Sequence, residues 1–176
     1  QVVTTQSAAA FVTELSLATV SGRPVRSSLL DAAQEGVVGH IELADWPDLV
    51  LVAPGTASLM ARAAAGIADD LASTVLLATR APVMWAPAMN TQMWEHPATR
   101  ANLMTLERFG HEMVGPSSGE LACGWTGVGA MTDVPELAKA ALERLGTDER
   151  TLRGRHVVVS AGPTRTYLDP VRFISN

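Results

Sequence analysis

Short apolar runs alternate with amphipathic stretches along this chain. Leu49-Val50-Leu51-Val52-Ala53 is stopped by Pro54, and Pro82-Val83-Met84-Trp85-Ala86 by Pro87. His156-Val157-Val158-Val159-Ser160-Ala161 is stopped by Gly162-Pro163, and a further strand-like run, Val2-Val3-Thr4-Thr5, opens the chain. Runs of this length, partly β-branched and ended by Gly or Pro, predict strands buried on both faces. The stretches between them predict helices over 7–20, stopped by Gly22, over 57–65, stopped by Gly66, and over 69–78. Two more are predicted over 97–109, before Gly110, and over 135–145, with Asp133 as candidate N-cap and Gly146 beyond. Two-sided strands alternating with helices imply an α/β fold, a parallel sheet with helices on both faces.

The polar stretch Gly146 to Gly154 reads as a linker, so the expected division is a main unit over 1–150 and the start of another over 151–176. Both ends read as cut, and the chain is expected to be a piece of a longer one. With 176 residues it has the material for one ordinary domain. Hydrophobic residues make up 47% and charged ones 18%, which excludes a disordered chain. A net charge of −5 argues against nucleic acid or an anionic membrane as partner. A single cysteine excludes an internal disulfide and a cysteine-based metal centre, and favours a reducing, cytoplasmic setting. No apolar stretch is long enough for a membrane span, and no signal peptide is visible.

In parallel sheets ligands bind at the carboxyl ends of strands, which directs attention to 54–58, 87–90 and 162–165. Ala53-Pro54-Gly55-Thr56-Ala57-Ser58 has side chains small enough to let a ligand reach the backbone; equally, Thr56 or Ser58 could simply cap a helix. Asn90 offers amide donors and an acceptor, or is a turn asparagine bonded to its own backbone. The neighbouring Met and Trp residues read as packing. His40, beside an apolar run, reads by itself as structural. His96, His111 and His156 share no metal-ligand spacing with it. Asp69-Asp70 reads as the negative start of a helix. The segment Gly115 to Met131 holds five glycines around Cys123 and reads as a mobile loop or lid, with Cys123 either an acid or nucleophile or a small buried thiol. Gly127-Val128-Gly129 lacks the third glycine of a dinucleotide fingerprint.

Taken in order, these motifs resemble one family, the homo-oligomeric flavin-containing cysteine decarboxylases, and within it the phosphopantothenoylcysteine decarboxylases. The resemblance is carried by Gly39-His40-Ile41-Glu42-Leu43-Ala44, the APGTAS turn, Ala68-Asp69-Asp70-Leu71, the PxMNxxMW pattern from Pro87 to Trp94, and Leu121-Ala122-Cys123-Gly124. The tail, Ala161 to Arg165 and Asp169 to Asn176, resembles the opening of phosphopantothenate–cysteine ligases. The resemblance implies a three-layer, Rossmann-like or flavodoxin-like sheet, FMN as cofactor, and decarboxylation of 4′-phospho-N-pantothenoylcysteine to 4′-phosphopantetheine. It implies that FMN oxidises the thiol-bearing carbon, so that a thioaldehyde takes up the electrons released with carbon dioxide. His40 would serve as base or orient the substrate, Asn90 would grip the carboxylate, and Cys123 would protonate the enethiolate. Thr5, Ala53, Pro54, Thr56 and Ser58 would line the flavin, and Met89, Met93, Ala122 and Gly124 the substrate. Trimers or dodecamers with sites at subunit contacts are implied. The chain departs from the family pattern in lacking its first strand and glycine-serine turn, in Gly55 and Ser58 of the APGTAS turn, and in Ala130 where the lid has arginine. A peptidyl-cysteine decarboxylase of the same family and a non-catalytic oligomeric regulatory or assembly subunit are the alternatives. The ligase-like tail speaks against the first. The presence of His40, Asn90 and Cys123 together speaks against the second.

Overall fold

A computed structural model describes residues 1–29, 39–121, 124, 126–146, 157–160, 165–167 and 173–175. In chain order its elements are α1 (Glu14–Ser21), α2 (Gly39–Asp45), β1 (Leu49–Gly55), α3 (Ala57–Ala65), α4 (Leu71–Ala78), β2 (Val83–Pro87), α5 (Thr91–Glu95) and α6 (Pro97–Arg108). They continue with β3 (Glu112–Met113), β4 (Ser117–Glu120), β5 (Thr126–Ala130), α7 (Val134–Arg144), β6 (Val157–Ser160), β7 (Arg165–Tyr167) and β8 (Phe173–Ser175). Strands β3, β2, β1 and β6 form a parallel sheet in that order, while β4–β5 and β7–β8 are antiparallel pairs. No helix of the described residues is long and apolar enough to cross a membrane.

The apolar runs are strands because both faces of the sheet are covered. Side chains alternate across a strand. Val50, Val52, Val83 and Trp85 therefore pack on one face with Leu59 and Met60 of α3, Leu76 of α4 and Leu106 of α6. Leu49, Leu51, Ala53, Met84 and Ala86 pack on the other face with Leu137 and Ala141 of α7. A smaller cluster joins Val3 to Leu43 of α2 and to Leu71, Ala72 and Val75 of α4. Val3 also forms a parallel bridge with Arg26, closed by the bonds Thr4 N–H to Arg26 O (2.9 Å) and Arg26 N–H to Val2 O (3.0 Å).

The helices begin where polar side chains satisfy free backbone N–H groups. Thr56 caps α3 by accepting from Leu59 N–H, and His96 caps α6 by accepting from Ala98 N–H. Asp70 and Ser73 form a reciprocal capping box at α4. Asp69-Asp70 is thus a helix start as expected, with the helix proper beginning at Leu71. At α7, Asp133 stands at the cap position without a side-chain cap bond.

Two expectations are corrected, and two short helices are added. The helix expected over 7–20 is a 3-10 turn at Ala8–Ala10 followed by α1, because Thr13 adopts an extended conformation and caps Ser16 N–H instead of continuing a helix. None of the residues of α1 is buried, so no core holds the longer pattern together. The glycine-rich segment over 115–131 contains the β4–β5 hairpin, with Ser118 opposite Val128 and Gly119 opposite Gly127. Glycines carry no alternation of side chains, so the strand pattern there was invisible. Gly39–Asp45 and Thr91–Glu95 are helices although no periodicity announced them, since seven and five residues are too short to show it. Residues 147–154 of the expected linker lie outside the described residues.

Candidate active site

The turns that follow β1 and β2 lie side by side. Gly55 is in register with Pro87, and Ala88 N–H donates to Gly55 O at 3.1 Å. The APGTAS turn and the PAMN turn therefore share the carboxyl end of the sheet. The approach to β2 is close at Gly55, where a Cβ would stand 3.1 Å from the Trp85 ring and 3.4 Å from Ala86 O. Ala53 is buried, Pro54 is half-buried after a cis peptide bond, and Thr56 and Ser58 are exposed at the start of α3. The Thr56 hydroxyl accepts from Leu59 N–H at 3.3 Å, so the capping reading of this turn is realised.

Asn90 is half-buried at the start of α5, and its Oδ1 accepts from Gln92 N–H at 2.8 Å. The local-turn reading is likewise realised. Holding Oδ1 on the backbone fixes the plane of the amide, whose Nδ2 is a donor. Met89 is buried and Met93 is 49% exposed. Met89 N–H donates to Gly129 O of the β4–β5 hairpin at 2.9 Å. Trp94 is buried below the turn, with the Arg100 guanidinium 4.7 Å from its ring centroid.

His40 is the second residue of α2 and half-buried. α2 is joined to the Val2–Thr4 segment through the Val3–Leu43 cluster. The Arg26 guanidinium, across the bridge from Val3, occupies the space that a Cβ on Gly39 would need. Thr5 is half-buried, and its Oγ1 accepts from Ala8 N–H at 3.3 Å. Its neighbour Thr4 is 2% exposed, and its Oγ1 has no hydrogen-bond partner among the described residues. An unmet buried hydroxyl costs about 1–3 kcal/mol. Gly124 is exposed in the left-handed region at φ +76°, while Ala122 and Cys123 lie outside the described residues.

The structure thus brings the Thr56 and Asn90 turns together on the main sheet, and joins the chain segment that leads to Thr5 with the helix that carries His40 through the Val3–Leu43 cluster. Val3 also shares a small apolar cleft with Val50 and Val52 of β1, which brings the second group up to the sheet. Three features went unread in the sequence: the unpartnered Thr4 hydroxyl, the seating of the hairpin on the Asn90 turn, and a polar anchor below Asn90. That anchor is Trp85, fully buried in β2, whose Nε1–H donates to His111 Nδ1 at 3.0 Å. Burial holds His111 below its ordinary pKa, favouring the neutral ring that can accept this bond. The only available signal was the i, i+2 spacing of Gly127 and Gly129.

The charged groups away from the turns are structural. Arg62 bridges Asp69 (2.6 Å) and Asp70 (2.7 Å). Burial works to raise the Asp70 pKa, but the Ser73 N–H and hydroxyl and the Arg62 guanidinium outweigh it and leave it below the usual carboxylate value. For Arg62 burial works downward, and the two aspartates outweigh it and raise the pKa.

Comparison with known proteins gives these features relatives. Residues 1–146 match the family model "Flavoprotein", and residues 152–176 match the "DNA/pantothenate metabolism flavoprotein C-terminal domain". The coenzyme A biosynthesis bifunctional protein CoaBC of Vibrio cholerae is 53% identical over 176 residues, all of this chain and 44% of that protein. The chain therefore spans under half the length of this curated relative. Among solved structures, a PPC decarboxylase mutant complexed with pantothenoylaminoethenethiol is 32% identical with a TM-score of 0.66, over 80% of this chain and 79% of that one. The FMN-dependent cysteine decarboxylase SpaF is 29% identical with a TM-score of 0.68, over 81% of this chain and 77% of that one.

Proposed function

The chain belongs to the Flavoprotein family, and on that premise we propose that it is the decarboxylase unit of a bifunctional coenzyme A biosynthesis protein. Its reaction would be the FMN-dependent decarboxylation of 4′-phospho-N-pantothenoylcysteine to 4′-phosphopantetheine. The observation that carries this reading is the PAMN turn. Asn90 stands half-buried at the carboxyl end of β2, its amide fixed by Gln92 N–H, beside a turn of small residues on β1. The match to residues 152–176 supports the bifunctional parent over a peptidyl-cysteine decarboxylase. Residues 1–150 would form the flavoprotein unit, and 151–176 the beginning of the ligase unit, which this stretch alone would not make active.

The residues present fit a flavin. The turn at 53–58 carries no bulky side chain, and the exposed Thr56 and Ser58 offer hydroxyls at its rim. Thr5 and the unpartnered Thr4 hydroxyl supply polar contacts at the end of the neighbouring strand segment. When bound, FMN supplies a two-electron sink for the thiol-bearing carbon of the substrate. The protein's own contribution is binding, orientation and proton movement. Asn90 Nδ2–H donates to the substrate carboxylate and holds it for release as carbon dioxide. His40 takes a proton or orients the thiol end of the substrate. Cys123 returns a proton to the product carbon. A thiol suits this role because its ordinary pKa, about 8.5, leaves it mostly protonated at neutral pH and still able to give a proton up. Met89, Met93, Ala122 and Gly124 line the substrate. Assembly into trimers or dodecamers in the cytoplasm completes the reading.

The test is direct. The purified protein is mixed with FMN and its absorbance recorded, and carbon dioxide release from 4′-phospho-N-pantothenoylcysteine is then measured. A bound flavin spectrum with substrate-dependent carbon dioxide release is expected. Flavin bound without carbon dioxide release in the assembled parent protein would reject the decarboxylase assignment.

A further inference from the structure

The β4–β5 hairpin contacts the Asn90 turn on both sides of Asn90, through two glycines of β5. On one side Met89 N–H donates to Gly129 O at 2.9 Å, and a Cβ on Gly129 would fall 2.1 Å from Met89 O. Gly129 also holds φ +151°, which L side chains rarely adopt. On the other side, a Cβ on Gly127 would fall 2.4 Å from Thr91 Oγ1 and 3.4 Å from Thr91 Cβ. Gly129 is the extra residue of a bulge in β5, between Val128 opposite Ser118 and Ala130 opposite Ser117, and the missing Cβ positions of Gly127 and Gly129 both face the Asn90 turn. A side chain at Gly129 would strike backbone, and one at Gly127 would strike the Thr91 side chain, which would have to give.

This seating answers a mechanical problem. α5 has five residues and cannot brace the Asn90 amide as a long helix would. A carboxylate-binding donor has to be held to within a fraction of an ångström and a few tens of degrees. We infer that Gly127 and Gly129 are positioning residues: their bare face of β5 is the seat that fixes the Asn90 turn, and through it the Asn90 amide. The inference rests on the decarboxylase reading for its effect on turnover, but the seat itself is a mechanical claim that stands or falls without a flavin.

The experiment compares the full chain with Gly127→Ala, Thr91→Ala and the double variant, by hydrogen exchange of the Met89 amide and by kinetics of the flavin-loaded protein. Gly127→Ala drives a methyl group into Thr91. Met89 exchange should rise about tenfold, the fold-change of losing one ordinary hydrogen bond. The turnover number should fall by about 10- to 100-fold, the cost of displacing a binding group by about an ångström. Thr91→Ala removes the obstructing hydroxyl and methyl, so it should leave Met89 protected. Combined with Gly127→Ala, it should restore both protection and turnover to within about threefold of the starting protein, allowing for ordinary non-additivity. A glycine needed only for its own backbone freedom would show no such rescue. Unchanged Met89 exchange in Gly127→Ala would overturn the inference, as would a double variant no better than the single one. If Gly127→Ala does not fold, the double variant decides: folding with Met89 protected supports the seat, and failure to fold overturns it. Rescue of exchange in a protein that releases no carbon dioxide would reject the decarboxylase reading and leave the seat standing.

Discussion

The turn after β1 and the turn after β2 use the same local chemistry. Each ends a buried strand and supplies a polar side chain that caps the next helix, Thr56 for α3 and Asn90 for α5. They differ in what the cap is for. α3 has nine residues and buries Leu59 and Met60, so Thr56 starts an element that the core then holds. α5 has five residues, buries Trp94 alone, and gives way at once to α6. Capping so short a helix is a small return for a half-buried amide and a hairpin seated on both flanks through two glycines. The Thr56 turn is explained by folding; the Asn90 turn carries more constraint than folding asks for. Such constraint on a polar group at a strand end is what the proposed binding role would require.

The sharpest break in this comparison is Asn90→Asp. Aspartate caps a helix about as well as asparagine, so stability should stay within about 1 kcal/mol. The substrate carboxylate would meet a negative charge in place of a donor, and turnover should fall by about 10²- to 10³-fold. A variant with full turnover would reduce Asn90 to a cap. Thr56→Ala should behave in the opposite way. It removes a cap worth about 1 kcal/mol, and melting of the flavin-free protein should drop by about 2–4 °C. Turnover of the flavin-saturated protein should move far less than in Asn90→Asp, and a loss as large would erase the distinction between the turns.

Acid should separate the turns more gently. Burial keeps the folded-state pKa of His111 below its ordinary value of about 6.5, so the unfolded chain takes up that proton first. The contribution of the neutral ring is complete above the unfolded value and is lost as pH falls through the interval down to the folded value. Protonated Nδ1 cannot accept from Trp85 Nε1–H, and Trp85 lies in the strand that carries Asn90. Melting followed from pH 7.5 downward should show this loss, and His111→Gln should flatten it across that interval. An unchanged profile would detach His111 from the stability of β2. The smallest expected effect is that of Ser58→Ala. Ser58 is exposed at the rim of the turn, so stability should stay within about 0.5 kcal/mol, and any change should appear in FMN affinity, read by flavin fluorescence.

The layers of the fold could be read before the structure because they depend on local repetition. Leu49 to Ala53 and Val83 to Ala86 are apolar at every position, which only a strand covered on both faces requires, and the two packed faces divide those residues alternately. Gly22, Gly66 and Gly146 follow helix ends in left-handed conformations, as their positions implied. What could not be read depends on partners distant in sequence. The hairpin escaped because glycines carry no periodic signal. The split at Thr13 escaped because the same hydroxyl can face out of a helix or cap one. His96 and His111 show the limit most clearly. One caps α6 and the other accepts from a buried indole, and nothing local to either residue distinguishes those uses. For the candidate site, the strand-end rule directed attention to Thr56 and Asn90, and the structure sets their turns side by side. Their tethers to the rest of the molecule came only from the structure.

The pairing of β6 with β1 bears on how the chain can be divided. Leu49 to Val52 run in register with Val157 to Ser160, so residues matched to the second family model complete a sheet whose other three strands belong to the first. A protein ended at 146 would uncover one whole side of β1, an apolar strand with a row of free backbone donors and acceptors. Such an edge invites another strand from another molecule. Tailoring the chain to its first family match would therefore turn the interior strand β1 into an edge, and the shortened chain should aggregate at a lower concentration than the longer one.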